Sequence, residues 1–184
     1  MMNTTGIARL AAPVGERDHV QGPSDAPSTL VLYGDYECPY TRRAVPAVRA
    51  LQRERGDGPR FAFRNFPLVE IHPHALHAAE AAEAAGAQGK FWEMFDLLFA
   101  HQTALTDADL RTYAAELGLD ADRFERDVST NAHAARIEED VRSGEASGVA
   151  GTPTFFVDGL RHDGGYDADS LRAAIAAGRP ATGG

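Results

Sequence analysis

The chain predicts an α/β fold in which a β-α-β unit and a β-β-α unit share one mixed central sheet, with an all-helical insertion between them. Three observations carry this. Thr29-Leu30-Val31-Leu32-Tyr33 is a short apolar run of strand length, and Arg60 to Phe66 alternates polar and apolar residues. Phe155-Phe156-Val157 is followed by Asp158-Gly159, two residues that accept positive φ and so mark a hairpin. Between the second and third of these strands, the apolar residues recur at helical spacing.

Taken in order, residues 1–27 mix Thr, Gly, Pro and charge without a sustained period, which predicts a mobile N-terminal arm with local packing at most around Val20. Residues 28–71 hold the first half of the α/β unit. Its helix runs from Pro39 to about Arg55, with Ala44, Val45, Val48 and Leu51 inward, and Gly56-Asp57-Gly58-Pro59 breaks it. The strand Arg60–Phe66 is stopped by Pro67, and a β-α-β order implies a parallel pair.

Residues 72–147 form the insertion. Pro73 to Ala87 is alanine-rich, and Lys90 to His101 carries Phe91, Trp92, Phe95, Leu98 and Phe99 on a broad apolar face. Thr106-Asp107-Ala108-Asp109 resembles a capping box with aspartate in the glutamate place, and Gly118 closes the helix it opens. Asp120 caps the next helix, and Thr130 to Glu145 turns Ala134, Ile137 and Val141 inward. Residues 148–178 add the hairpin strands and a last helix capped by Asp167, with Leu171 and Ile175 inward; residues 179–184 form a tail.

Composition narrows the function classes. The chain has 184 residues and a net charge of −9, with Lys90 the sole lysine and no basic cluster, which argues against nucleic acid as a partner. No apolar run approaches the roughly 20 residues needed to cross a bilayer, and Ile7 to Val14 is too short and too interrupted for a secretory leader. A cytoplasmic location and no membrane insertion are expected on that ground. One cysteine, Cys38, excludes an intramolecular disulfide, a Cys-X-X-Cys pair and a multi-cysteine zinc site.

Cys38 sits in Gly34-Asp35-Tyr36-Glu37-Cys38-Pro39-Tyr40-Thr41, between a strand and a helix, with Pro39 in the first helical turn, where proline is tolerated. Unpaired N–H groups and partial positive charge at a helix N-terminus favour a thiolate over a thiol. Asp35 and Glu37 act against that anion by like-charge repulsion, whereas Arg42 and Arg43 favour it. A buried, inert cysteine is the plain alternative, since free cysteine packs as a small apolar residue. His72, His74 and His77 invite a metal reading, but no further ligand motif accompanies them, and no metal is expected. His72-Pro73-His74 reads instead as a helix start.

These segments together resemble the thioredoxin superfamily, more closely its DsbA-like branch with a helical insertion. The resemblance rests on Gly34 to Tyr40, Phe63-Arg64-Asn65-Phe66-Pro67-Leu68, His72-Pro73-His74-Ala75, Gly89-Lys90-Phe91-Trp92-Glu93-Met94 and Gly148 to Val157. The chain is also similar to the cytoplasmic thioredoxin-like modules appended to some bacterial Na⁺/H⁺ antiporters.

The resemblance implies a thioredoxin fold and thiol-disulfide oxidoreductase activity. It implies a cis Pro153 facing the redox cysteine, with Gly151 and Thr152 lining the loop that docks an extended substrate. The implied catalytic set is Cys38, Pro39, Tyr40 and Thr41.

Thr41 is the departure, because it stands where the family places its second, resolving cysteine. What the sequence supports is therefore monothiol exchange, in which Cys38 forms a mixed disulfide that a second thiol must release. The Thr41 hydroxyl is positioned by sequence to donate to the thiolate. No tightly bound cofactor is expected; glutathione or another low-molecular-weight thiol would be co-substrate, and the partner a disulfide-containing protein or a small-thiol mixed disulfide. Two alternatives stand beside this: a catalytically silent peptide- or protein-binding module, and a glutathione-transferase-like activity.

Overall fold

The alternating and apolar runs place one side of each central strand against helices and the other against the N-terminal segment and one further helix, and this double burial shapes the molecule. The structure, a computed structural model, describes residues 8–54 and 58–178. Its elements are β1 (His19–Gln21), β2 (Thr29–Gly34), α1 (Pro39–Gln52), β3 (Arg60–Asn65), α2 (Ala75–Gly86), α3 (Phe91–Ala100), α4 (Asp107–Glu116), α5 (Ala121–Ser129), α6 (Ala134–Ala146), β4 (Thr154–Val157), β5 (Leu160–His162) and α7 (Ala168–Gly178). The five-stranded sheet has the order β1-β3-β2-β4-β5; β2 and β3 are parallel, and the remaining pairs are antiparallel. The mixed sheet and helical insertion are those the sequence predicts.

Local chemistry explains most boundaries. Thr106 and Asp109 complete a reciprocal capping box at α4, aspartate serving in place of the longer glutamate. Asp120 accepts from the Arg123 N–H to cap α5. Asp158 and Gly159 take φ of 49° and 77°, the left-handed pair that turns β4 back into β5. Helix α1 ends at Gln52, and the breakers Gly56 and Asp57, like the tail over 179–184, lie outside the described residues. Among the described residues no helix is long and apolar enough to cross a membrane.

The larger core lies on one sheet face, where Leu30, Leu32, Phe61 and Phe63 meet α1, α7 and the insertion helices α2 to α5. Each such fully buried side chain contributes roughly 1.5–3 kcal/mol relative to exposure. On the other face Val31, Tyr33, Ala62, Phe66 and Phe156 form a smaller core.

That smaller core corrects the expectation of a mobile arm over residues 1–27, at least from residue 8 onward. Leu10, Val14 and Val20 pack on it. The arm pairs with the sheet at both ends: Arg9 bridges Leu160 beside β5, and β1 lies antiparallel on β3. Arg64, 1% exposed in its side chain, binds the carboxylate of Asp18 at 2.7 Å and donates to the carbonyls of Ala12 and Pro13. A buried guanidinium needs counter-charge and acceptors, and the arm supplies both. No periodic pattern marks this segment, because contacts distant in sequence hold it.

Candidate active site

Strand register builds the site. Tyr33 pairs with Thr154, so the loop entering β4 faces the loop leaving β2. The strand β2 ends at Gly34, where a Cβ would lie 2.5 Å from the Phe63 ring and 2.9 Å from the Thr41 methyl; only glycine fits there. The chain then runs through Asp35, Tyr36 and Glu37 to Cys38, which is extended (φ −73°, ψ 119°) and directly precedes α1. Its carbonyl accepts the N–H of Arg42 at 3.1 Å, the first bond of the helix.

Cys38 is 2% exposed, and its Sγ donates to the carbonyl oxygen of Thr152 at 3.3 Å. The Thr152–Pro153 peptide is cis. Gly151, Thr152 and Pro153 are half-buried and border the thiol; the Thr152 hydroxyl is buried without a partner. Pro39 and Tyr40 are exposed, and Arg43 lies 5.2 Å over the Tyr40 ring. Cys38, Pro39, Tyr40, Gly151, Thr152 and Pro153 thus form one neighbourhood.

Thr41 differs from expectation. It is fully buried, and its hydroxyl accepts a long 3.5 Å bond from the Asp35 N–H instead of donating to Cys38. Its methyl faces Gly34, and that packing sets the rotamer.

The carboxylates flanking the cysteine are engaged elsewhere. Asp35, fully buried, accepts from the N–H groups of Glu37 and Leu68 and pairs with His72 Nδ1, each at 2.8 Å. Glu37 takes the His74 N–H at 2.7 Å and its Nδ1 at 2.9 Å. Both therefore pin the 68–74 loop to the cysteine turn. His77 pairs with Asp107, so each of the three histidines has its own carboxylate. Among the described residues no three His, Cys, Asp or Glu side chains are placed to hold a metal ion.

Tyr36 turns inward among Phe63, Phe95 and Phe99, 1% exposed. Burial pushes its phenol well above the ordinary value, with Glu83, Asp140 and Asp96 adding to the effect, so it stays protonated.

Sequence reasoning missed the pairing partners of Asp35 and Glu37, although two histidines spaced around Pro73 were a visible signal. It also missed Gln102, whose amide donates to the carbonyls of Tyr36 at 2.8 Å and Cys38 at 2.9 Å. No local pattern marks that residue.

The family model described as Thioredoxin matches residues 15–177. A curated relative from Salinispora arenicola, named Na(+)/H(+) antiporter NhaA 1, is 52% identical over 171 residues, covering 92% of this chain and 26% of the relative. The chain thus spans about a quarter of the length of the curated relatives it first matches. Among solved structures, a thioredoxin-like oxidoreductase from Silicibacter pomeroyi is 28% identical with a TM-score of 0.78, covering 89% of this chain and 92% of that one. The thiol-disulfide exchange protein alpha-DsbA2 of Wolbachia pipientis superposes with a TM-score of 0.73 at 20% identity, covering 88% and 87%. The chain belongs to the thioredoxin family, and its fold is that of the DsbA-like branch.

Proposed function

We propose that this chain is a thiol-disulfide oxidoreductase that works through Cys38 alone. The observation that carries the reading is the placement of Cys38 Sγ directly before α1 and 3.3 Å from the Thr152 carbonyl. The helix N-terminus favours the thiolate, and the half-exposed 151–153 loop offers backbone beside it for an extended substrate.

In the first step the thiolate, its proton released to solvent, attacks one sulfur of a substrate disulfide. The Cys38–S bond forms as the substrate S–S bond breaks, and the departing thiolate takes a proton from solvent. In the second step another thiol attacks the mixed disulfide and frees Cys38. Thr41 supplies no thiol, so the attacker is a low-molecular-weight thiol such as glutathione or a second cysteine of the substrate. With glutathione as attacker the substrate keeps one thiol and one glutathione mixed disulfide, which a second glutathione resolves to the dithiol and glutathione disulfide. With a substrate cysteine as attacker the disulfide is rearranged and no external thiol is consumed; in both cases the chain is unchanged. Tyr40 offers an exposed ring beside the sulfur, and Gly151, Thr152 and Pro153 form the docking loop. A disulfide-containing protein in the cytoplasm is the substrate this reading assigns. The antiporter name belongs to relatives much longer than this chain, and transport is not carried over.

A silent peptide-binding module is the second reading, favoured by the 2% exposure of Cys38 and the lack of a resolving cysteine. One experiment separates the two. Parent and Cys38→Ser are incubated with glutathione disulfide, then assayed for a mixed disulfide by mass and for reduction of a disulfide peptide in excess glutathione. The oxidoreductase reading expects both activities in the parent and neither in the variant. Equal rates would overturn it; peptide affinity unaffected by Cys38→Ser would then favour the module.

A further inference from the structure

Helix α3 approaches the cysteine turn through one face. Phe95 and Phe99 pack on Tyr36 with ring centroids 6.0 and 5.0 Å apart, and Gln102 follows three residues later, just past the helix end. This packing carries the Gln102 amide to the turn, where Nε2 donates one N–H to the Tyr36 carbonyl and the other to the Cys38 carbonyl. Both neighbours are acceptors, so chemistry fixes which end of the amide faces them. Tyr36 is 1% exposed, and Gln102 supplies the one bond its carbonyl has among the described residues. The Cys38 carbonyl holds two donors, Arg42 N–H from its own helix and Gln102 from the insertion.

We propose that Gln102 is a positioning residue for exchange: from the helical insertion, its amide holds the carbonyls of Tyr36 and Cys38 and so sets how Cys38 Sγ faces the start of α1 and the Thr152 loop. The role rests on the reading of Cys38 as the nucleophile. Bonded to Gln102, the two carbonyl dipoles are held in fixed directions. Without that amide the turn is free to rotate a carbonyl toward Sγ, which opposes the thiolate and spoils its line of attack. Gln102 touches no reacting atom. It acts through the backbone of Cys38, and through it the insertion controls the thiol.

The test is the rate of Cys38 alkylation by iodoacetamide against pH, with thermal unfolding in parallel. It is run on the parent, Gln102→Leu, Gln102→Glu and Asp120→Ala. Asp120 accepts the Arg123 N–H at 2.9 Å to cap α5, so its variant loosens the insertion away from Gln102 and the cysteine turn. In Gln102→Leu the alkylation rate at neutral pH is expected to fall by about tenfold to a hundredfold, the scale set by misplacing a reacting group, and the whole profile to move to higher pH. Gln102→Glu should show the same defect at neutral pH, because a carboxylate cannot donate to two carbonyls; being isosteric and half-exposed, it covers the case in which the leucine variant does not fold. Asp120→Ala should lower the melting temperature and leave the profile in place. A parental profile in either folded Gln102 variant, or an equal displacement in Asp120→Ala, would overturn the proposal. Alkylation needs no turnover, so a parent without exchange activity would remove the oxidoreductase reading while this measurement still decided the role of Gln102.

Discussion

Cys38 and Thr152, 114 residues apart in sequence, meet through a single bond from Sγ to a backbone carbonyl. Serine keeps that donor, so Cys38→Ser is expected to cost less than about 1 kcal/mol of stability while leaving nothing to alkylate. Cys38→Val removes the donor and should cost more than the serine variant. Urea unfolding of the two variants checks the order; valine equal to serine would show that the bond contributes nothing.

Thr41→Cys should convert the chain to a two-thiol enzyme. The residue lies one helical turn after Cys38, and its side chain already reaches the cysteine loop through Asp35. The variant is expected to release its own mixed disulfide by closing a disulfide between positions 38 and 41, so that substrate release in a single turnover of the reduced chain no longer rises with added glutathione. A rate still proportional to glutathione would show that position 41 faces away from the thiol.

Gly34→Ala tests the packing beneath the cysteine turn. Its Cβ would meet Phe63 and the Thr41 methyl inside contact distance, so a core ring or the start of α1 must shift. A loss of about 1–3 kcal/mol is expected, together with slower alkylation of Cys38. Unchanged stability would mean the neighbours relax freely.

The arm should prove part of the fold. Burial alone would raise the Asp18 carboxyl, but hydrogen bonds from Arg64 and the Gly15 N–H, with the Arg64 charge, hold it below its ordinary value. Asp18→Asn strands a buried guanidinium, and breaking such a pair costs about 3–5 kcal/mol. Chemical denaturation measures it; a loss under about 1 kcal/mol, the scale of an exposed pair, would show that the arm is dispensable.

Two buried acids of the insertion oppose the arm in pH dependence. Burial raises Glu80 and Asp140, while Glu83, which burial would also raise, is held low by its bond to His19. A carboxyl whose folded value lies above its unfolded one contributes most in acid, and that contribution is lost as pH rises through the folded value. Glu80→Gln removes one such group. Its stability relative to the parent should therefore improve as pH rises from the ordinary carboxyl range toward neutrality. Parallel stability curves for the two proteins would exclude the effect. Asp18 and Glu83 act in the opposite sense, contributing above the ordinary carboxyl range and losing it in acid.

The sequence by itself determined the elements from β2 onward and the setting of Cys38. Strand alternation, the Thr106 and Asp120 caps and the Asp158-Gly159 turn are local chemistry written within a few residues, and they fall where expected. Cys38 before a helix is legible for the same reason, because a helix terminus acts on the residue beside it. Only the tertiary structure decided what those residues do to one another. The arm looks featureless until Arg64 is buried and requires Asp18. Asp35 and Glu37 read as charges set against the thiol until the fold brings His72 and His74 to hydrogen-bond them. Thr41 reads as a donor until its rotamer is fixed by packing on Gly34. Gln102 is invisible from sequence, since a partner 64 residues away becomes a neighbour only when aromatic burial docks α3 on Tyr36. Local propensity is encoded at short range; partnership among buried polar groups arises when burial removes water as the alternative partner.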